Sequence, residues 1–128
     1  MKRILVLCCA LLIAGCSGVK GRITLKSQCL DGKVTAIVSQ EGEDNARNAV
    51  YHVYLVPTAG GTPDEVVWTE HASQVYVRWD SDDHILVVFN GGAVHYTRTN
   101  DARIAVPVDG GARQIGIWLS TDTRAPAP

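Results

Sequence analysis

The chain has 128 residues, with 12 Lys and Arg against 13 Asp and Glu, 46% apolar residues, 12 Gly, 5 Pro and 4 Cys. A near-neutral balance excludes the electrostatic footprint of a nucleic-acid binder, and the length accommodates one small domain. No block of like charges and no low-complexity tract interrupts it.

At the N-terminus, Met1-Lys2-Arg3 precedes an apolar run from Ile4 to Gly15, 12 residues long. A hydrocarbon core about 30 Å thick needs roughly 20 helical residues, so this run is too short to span and reads as a secretory signal. It ends in Leu12-Ile13-Ala14-Gly15-Cys16, which resembles the lipobox of bacterial lipoproteins, with Ile13 where that family most often has Leu. The resemblance implies that residues 1–15 are a cleaved lipoprotein signal peptide and that the Cys16 thiol carries diacylglycerol. It also implies acylation of the new amino group, palmitate being one such chain. A non-lipidated signal cut after Ala14 or Gly15 is the alternative. Each buried CH₂ of a lipid contributes about 0.8 kcal/mol and more than one chain makes anchoring stable, so membrane lipid held through Cys16 is the first expected partner. The implied location is the bacterial cell envelope. Ser17 after the Cys, in place of Asp, resembles the pattern sorted to the outer membrane facing the periplasm in Gram-negative cells.

Residues 16–21 form the expected lipidated Cys and short tether, which reaches at most about 18 Å and keeps the domain near its membrane. Cleavage also changes the composition. Lys2, Arg3, Cys8 and Cys9 leave with the signal, so a mature chain of about 113 residues carries a net charge of about −3. Cys29 is then the only free thiol, and no intramolecular disulfide can form. Stability must come from the core, and a domain this long buries roughly 65% of its unfolded surface.

Between 22 and 120 runs of Val, Ile, Tyr and Trp alternate with Gly, Asp, Asn and Pro clusters, and no stretch sustains a 3.6-residue period. Strands are predicted at 22–30, 33–39, 50–57, 65–69, 74–79, 84–90, 93–98, 102–108 and 113–120. The expected fold is all-β, an antiparallel β-sandwich or small barrel, with residues 121–128 as a flexible tail.

Turn chemistry predicts the register. Asp31-Gly32 reads as a type I′ hairpin pairing Leu30 with Lys33, Cys29 with Val34, Ser27 with Ala36 and Leu25 with Val38. That places Cys29 on an inward face with Ile23, where a thiol is packing rather than a nucleophile. Further on, Val75, Val77 and Trp79 alternate with Tyr76 and Arg78. Strand 84–90 is apolar on both faces, as expected of a central strand. Asn90-Gly91-Gly92 reads as the next hairpin, which sets His95 opposite Val88 or Leu86. Pro107 marks 102–108 as an edge strand. In the last strand Ile115, Ile117 and Leu119 alternate with Gln114, Gly116 and Trp118.

Chemistry is harder to find. Loops 40–49 and 57–64 are polar and Gly/Pro-rich respectively, and loops of this kind carry binding in many proteins. Asp80-Ser81-Asp82-Asp83-His84 suits a cation by composition, but an EF-hand counted from Asp80 would need Gly at Ile85 and Glu at Gly91, so it reads as a solvated turn. His52, His71, His84 and His95 lack the close spacing of zinc signatures. There is no Gly-x-Ser-x-Gly, His-Glu-x-x-His or Ser-x-x-Lys motif, so no catalytic residue, metal or cofactor is assigned and an enzyme is the less favoured reading. Tyr76 and Trp118 fall opposite the apolar sets of their strands and are the candidate binding residues.

Val75-Tyr76-Val77-Arg78-Trp79 followed by Ile85-Leu86-Val87-Val88-Phe89 is similar to small β-rich bacterial lipoproteins of unassigned function. The expected function is thus a membrane-anchored envelope lipoprotein with a non-catalytic binding or scaffolding β domain, its partner another envelope protein and not nucleic acid. The alternative is an inhibitor or small-ligand-binding lipoprotein using the 40–49 and 57–64 loops.

Overall fold

Alternating apolar residues bury one face of each strand, and in a computed structural model, which describes residues 18–42, 49–97 and 103–121, they form nine strands among those residues. These are β1 (Arg22–Gln28), β2 (Val34–Glu41), β3 (Val50–Pro57), β4 (Asp64–Glu70), β5 (Gln74–Ser81), β6 (His84–Asn90), β7 (Ala93–Tyr96), β8 (Arg103–Val108) and β9 (Gly111–Ser120). They make two sheets, ordered β1-β2-β3-β4-β7 and β5-β6-β9-β8. The fold is an all-β sandwich. Its core joins Val34, Ala36, Val38, Val53, Leu55 and Val67 of the first sheet to Val77, Ile85, Val87, Ile104, Ile115 and Ile117 of the second. Each Val, Leu or Ile side chain among them, fully buried, contributes roughly 1.5–3 kcal/mol. Among the described residues no helix is long and apolar enough to cross a membrane.

Several expectations hold in detail. Ser27 pairs with Ala36 and Leu25 with Val38, the register the Asp-Gly turn predicts. Pro107 lies on the edge strand β8. Ile85 and Val87 face the core while Leu86 and Trp118 pair on the opposite face.

Four details differ. At the first turn only Gly32 has positive φ, at 74°, and its N–H bonds Cys29 O at 2.9 Å, so the chain turns at Leu30-Asp31 rather than through a type I′ turn. Leu30 becomes an exposed tip instead of the end of a strand. A bulge between Ile23 and Leu25 breaks the alternation of β1. Ile23 therefore leaves the inward set and lines an outer groove with Lys26, Thr35 and Ile37. The Asn90-Gly91-Gly92 turn is not a hairpin: β7 leaves the second sheet and pairs with β4 in the first, setting His95 against Trp68 rather than Val88 or Leu86. Finally, β6 and β9 run parallel, the one departure from antiparallel pairing among the described residues.

Residues Gly18–Gly21 form a strap on the outer face of the first sheet. Lys20 N–H bonds Tyr54 Oη at 2.9 Å, and Ser39 Oγ donates to Lys20 O at 2.6 Å. The Tyr54 ring beneath is 2% exposed, and burial pushes its phenol pKa up.

Candidate functional site

Three polar or amphipathic clusters stand out against the apolar core. The first joins the turns at one end of the sandwich. Cys29 Sγ donates to Asp31 Oδ1 at 2.9 Å, Asp31 N–H bonds Asp82 Oδ1 at 2.8 Å, and Arg113 Nη2 reaches Asp31 Oδ2 at 2.6 Å. Arg113 Nη1 also approaches Cys29 Sγ at 3.8 Å and donates to Asp82 O at 3.4 Å. Cys29, Asp31 and Asp82 are the one group of three metal-ligating side chains found among the described residues. The Arg113 guanidinium already supplies the positive charge there, so the arrangement is an ionic tie between the β1–β2 turn, the β5–β6 turn and β9. Cys29 points inward as expected and is 4% exposed.

Asp31 follows from this geometry as a pH-sensitive element. The Arg113 guanidinium, then the Cys29 thiol and the Lys33 N–H, hold its carboxyl well below the usual carboxylate range. A carboxylate depressed in the folded state adds stability above its unfolded value of about 3.9, and that stability is lost as pH falls below it. Urea midpoints measured from about pH 6 to about pH 2 are expected to fall for the native chain. Asp31→Asn lowers the neutral-pH midpoint and flattens the acid fall; an unchanged acid slope in this variant contradicts the assignment.

The second cluster lies on the outer face of the first sheet. His52 is 5% exposed, with Nδ1 against Glu65 Oε2 and Nε2 against Glu41 Oε1. Glu65 Oε1 also accepts from Thr97 Oγ1 at 3.3 Å. With each ring nitrogen set against a different carboxylate, the ring bridges β2, β3 and β4. No nucleophile faces it among the groups just named. Glu41 leads into the 40–49 loop, of which residues 43–48 lie outside the described residues.

The third is the surface around Trp118. Trp118 is 64% exposed on β9, edge-on to His84 with ring centroids 6.0 Å apart. With Leu86, Arg78, Asp80 and Ile85 the two rings line a shallow hollow of about 190 Å³. Tyr76, the other candidate binding residue, is on the same face of the sheet but 8% exposed, as its cross-strand neighbour Val88 is at 1%. Of the pair, Trp118 alone presents an aromatic surface.

The remaining predicted positions are dispersed. His84 Nδ1 lies 3.0 Å from Asp83 Oδ1, and Ser81 Oγ donates to the same carboxylate at 2.7 Å. His95 stacks on Trp68 at 4.4 Å, its Nε2 lying 3.4 Å from Glu70 Oε2 without hydrogen-bond alignment. His71 sits at a corner with φ 60°. The 57–64 loop borders a cleft of about 640 Å³ with Leu55, Ala105, Val106 and Pro107.

Three groupings escaped sequence reasoning. Asp109-Gly110 is a two-residue hairpin with φ of 52° and 77°, and Lys33 Nζ pairs with Asp109 Oδ2. Its Asp-Gly signal is as plain as that of Asp31-Gly32. The Arg113 tie and the His52 cluster join residues distant in sequence and carry no local signal. Comparison with protein-family models, with curated proteins and with solved structures gives no match.

Proposed function

We propose that the mature chain is a lipid-anchored envelope protein whose β domain binds or scaffolds a partner without turning over a substrate. The sequence Leu12–Cys16 supports the anchor, and the four-residue strap that follows it supports a domain held close to the bilayer. The observation that carries binding is Trp118: a large amphipathic ring, 64% exposed, set among Leu86, His84 and the opposite charges of Arg78 and Asp80. Rings of this kind contribute strongly to interfaces because they cover much area at low entropic cost. The proposed partner is another envelope protein.

The alternative, an inhibitor or small-ligand binder, draws support from the 640 Å³ cleft beside the 57–64 loop, a volume within the range of small-molecule sites. Photo-crosslinking separates the two. A photoreactive residue at position 118 of the acylated protein is expected to give a discrete membrane-protein adduct that the same residue at Ser73 does not. Absence of any such adduct, together with a small ligand retained by the purified domain, favours the alternative. Cys16→Ala is expected to move the protein from the membrane to the soluble fraction; membrane retention of this variant overturns the anchor.

A further inference from the structure

We infer that the end of the sandwich built by the 29–33 turn and the 57–63 loop lies on the bilayer surface, with Leu30 entering the lipid interface. The inference rests on acylation of Cys16. At Gly21, φ is 81° and a Cβ would lie 2.3 Å from Gln40 O, so only glycine lets the chain reverse against β2 at this point. Tyr54 and Ser39 then hold Lys20 by both its backbone groups. Val19 settles in the groove with Ile23, Ile37 and Val56, and a Cβ built on Gly18 would touch Pro63 at 3.8 Å.

Cys16 is two residues beyond Gly18, at most about 7 Å away. The opposite end is separated from this one by the length of β2, whose 8 residues span about 26 Å. An acyl chain attached at Cys16 therefore enters the membrane beside the 57–63 loop and cannot do so beside the far end.

The chemistry of this end suits such a contact. Pro57-Thr58-Ala59-Gly60-Gly61-Thr62-Pro63 contains no charged side chain. Thr58 N–H bonds Lys33 O at 3.0 Å, which joins the loop to the turn bearing Leu30. Two of the acidic groups at this end are matched, Asp31 by Arg113 and Asp109 by Lys33, which lessens the cost of approaching a low-dielectric surface. Leu30 is 78% exposed at the turn tip. A single exposed leucine is ordinary on a protein surface; this one stands at the end to which the strap directs the lipid. Glu41 at the end of β2 and the β4–β5 corner then face away from the membrane, and Trp118 faces sideways.

The test uses acylated protein in phospholipid vesicles. Single cysteines are introduced by Leu30→Cys, Ala59→Cys and His71→Cys and labelled with a fluorophore. Native Cys29 is buried and Cys16 is blocked by lipid, so labelling is selective. Quenching by nitroxide-bearing lipids is expected to be several-fold stronger at 30 and 59 than at 71. Equal quenching at all three, or strongest quenching at 71, in protein that floats with the vesicles overturns this orientation while leaving the anchor standing. Protein that lacks the acyl mass and does not float overturns the anchor and the orientation together.

Discussion

Gly92→Ala is expected to destabilise the domain by about 2–5 kcal/mol, against about 5–15 kcal/mol of total stability for a domain of ordinary size. Two costs add. Gly92 has φ 76°, where an L side chain costs about 1–2 kcal/mol. A Cβ there would also lie 2.2 Å from Glu70 O and 2.7 Å from Ala72 N. Both are backbone atoms of the β4–β5 corner, which cannot turn aside as a flexible side chain would, and forcing extra volume into packed structure costs about 1–3 kcal/mol. Gly91→Ala is the matched control. Its φ is 71°, but nothing lies within 4 Å of its Cβ, so it is expected to lose the conformational part alone. Urea midpoints at constant m separate the two variants. Equal losses would mean that β7 does not cross tightly over the corner to reach β4, and the hairpin onto β6 would have to be reconsidered.

That crossing also shows where sequence reading reaches its limit in this molecule. Strand positions were legible because alternation of Val, Ile and Tyr states which residues face inward, and all nine strands lie within a few residues of the periodicity. The register of β1 on β2 was legible from Asp31-Gly32, although the turn has only one left-handed residue. Asn90-Gly91-Gly92 was not, because adjacent glycines permit a hairpin and a passage between sheets equally well. The difference is set by Glu70 and His71, which lie 22 and 21 residues earlier and meet Gly92 only in the folded chain. Bulges account for further losses. Ile23 alternates perfectly with Leu25 in sequence, yet one extra residue in β1 turns it outward. In β4 the irregularity between Val53 and Tyr54 pairs Tyr54 with Glu65. Strict alternation from Val67 would point Glu65 into the core; the bulge brings it instead to the outer face, against His52. Trp118 was legible as an outward ring, whereas Tyr76, equally outward by alternation, is buried. Period alone does not say what covers a face.

The His52 cluster that this bulge creates leads to the second large effect: His52→Leu is expected to cost about 2–3 kcal/mol. Removing one member of a buried ion pair typically costs about 3–5 kcal/mol, because the remaining charge stays desolvated. The lower figure applies because the Glu41 side chain is 47% exposed and rehydrates, leaving Glu65, at 18%, as the main loser. Glu65 also keeps its bond from Thr97, which moderates the loss. Glu41→Gln should then cost under about 1 kcal/mol, as exposed pairs do. Glu65→Met removes the stranded charge, so His52→Leu made in that background is expected to cost much less than it does alone. Such coupling in a double-mutant cycle is the signature of direct interaction. A His52→Leu cost that is the same with and without Glu65 would show that the ring acts through packing on Tyr54, 6.1 Å away between ring centroids, and not through its carboxylates. The outcome bears on function as well as stability. Glu41 is the last residue of β2, so the imidazole fixes the base of the 40–49 loop to β3 and β4. In the alternative ligand-binding reading, the His52→Leu variant is expected to weaken binding through that loop, whereas crosslinking from position 118 on the opposite sheet remains unchanged.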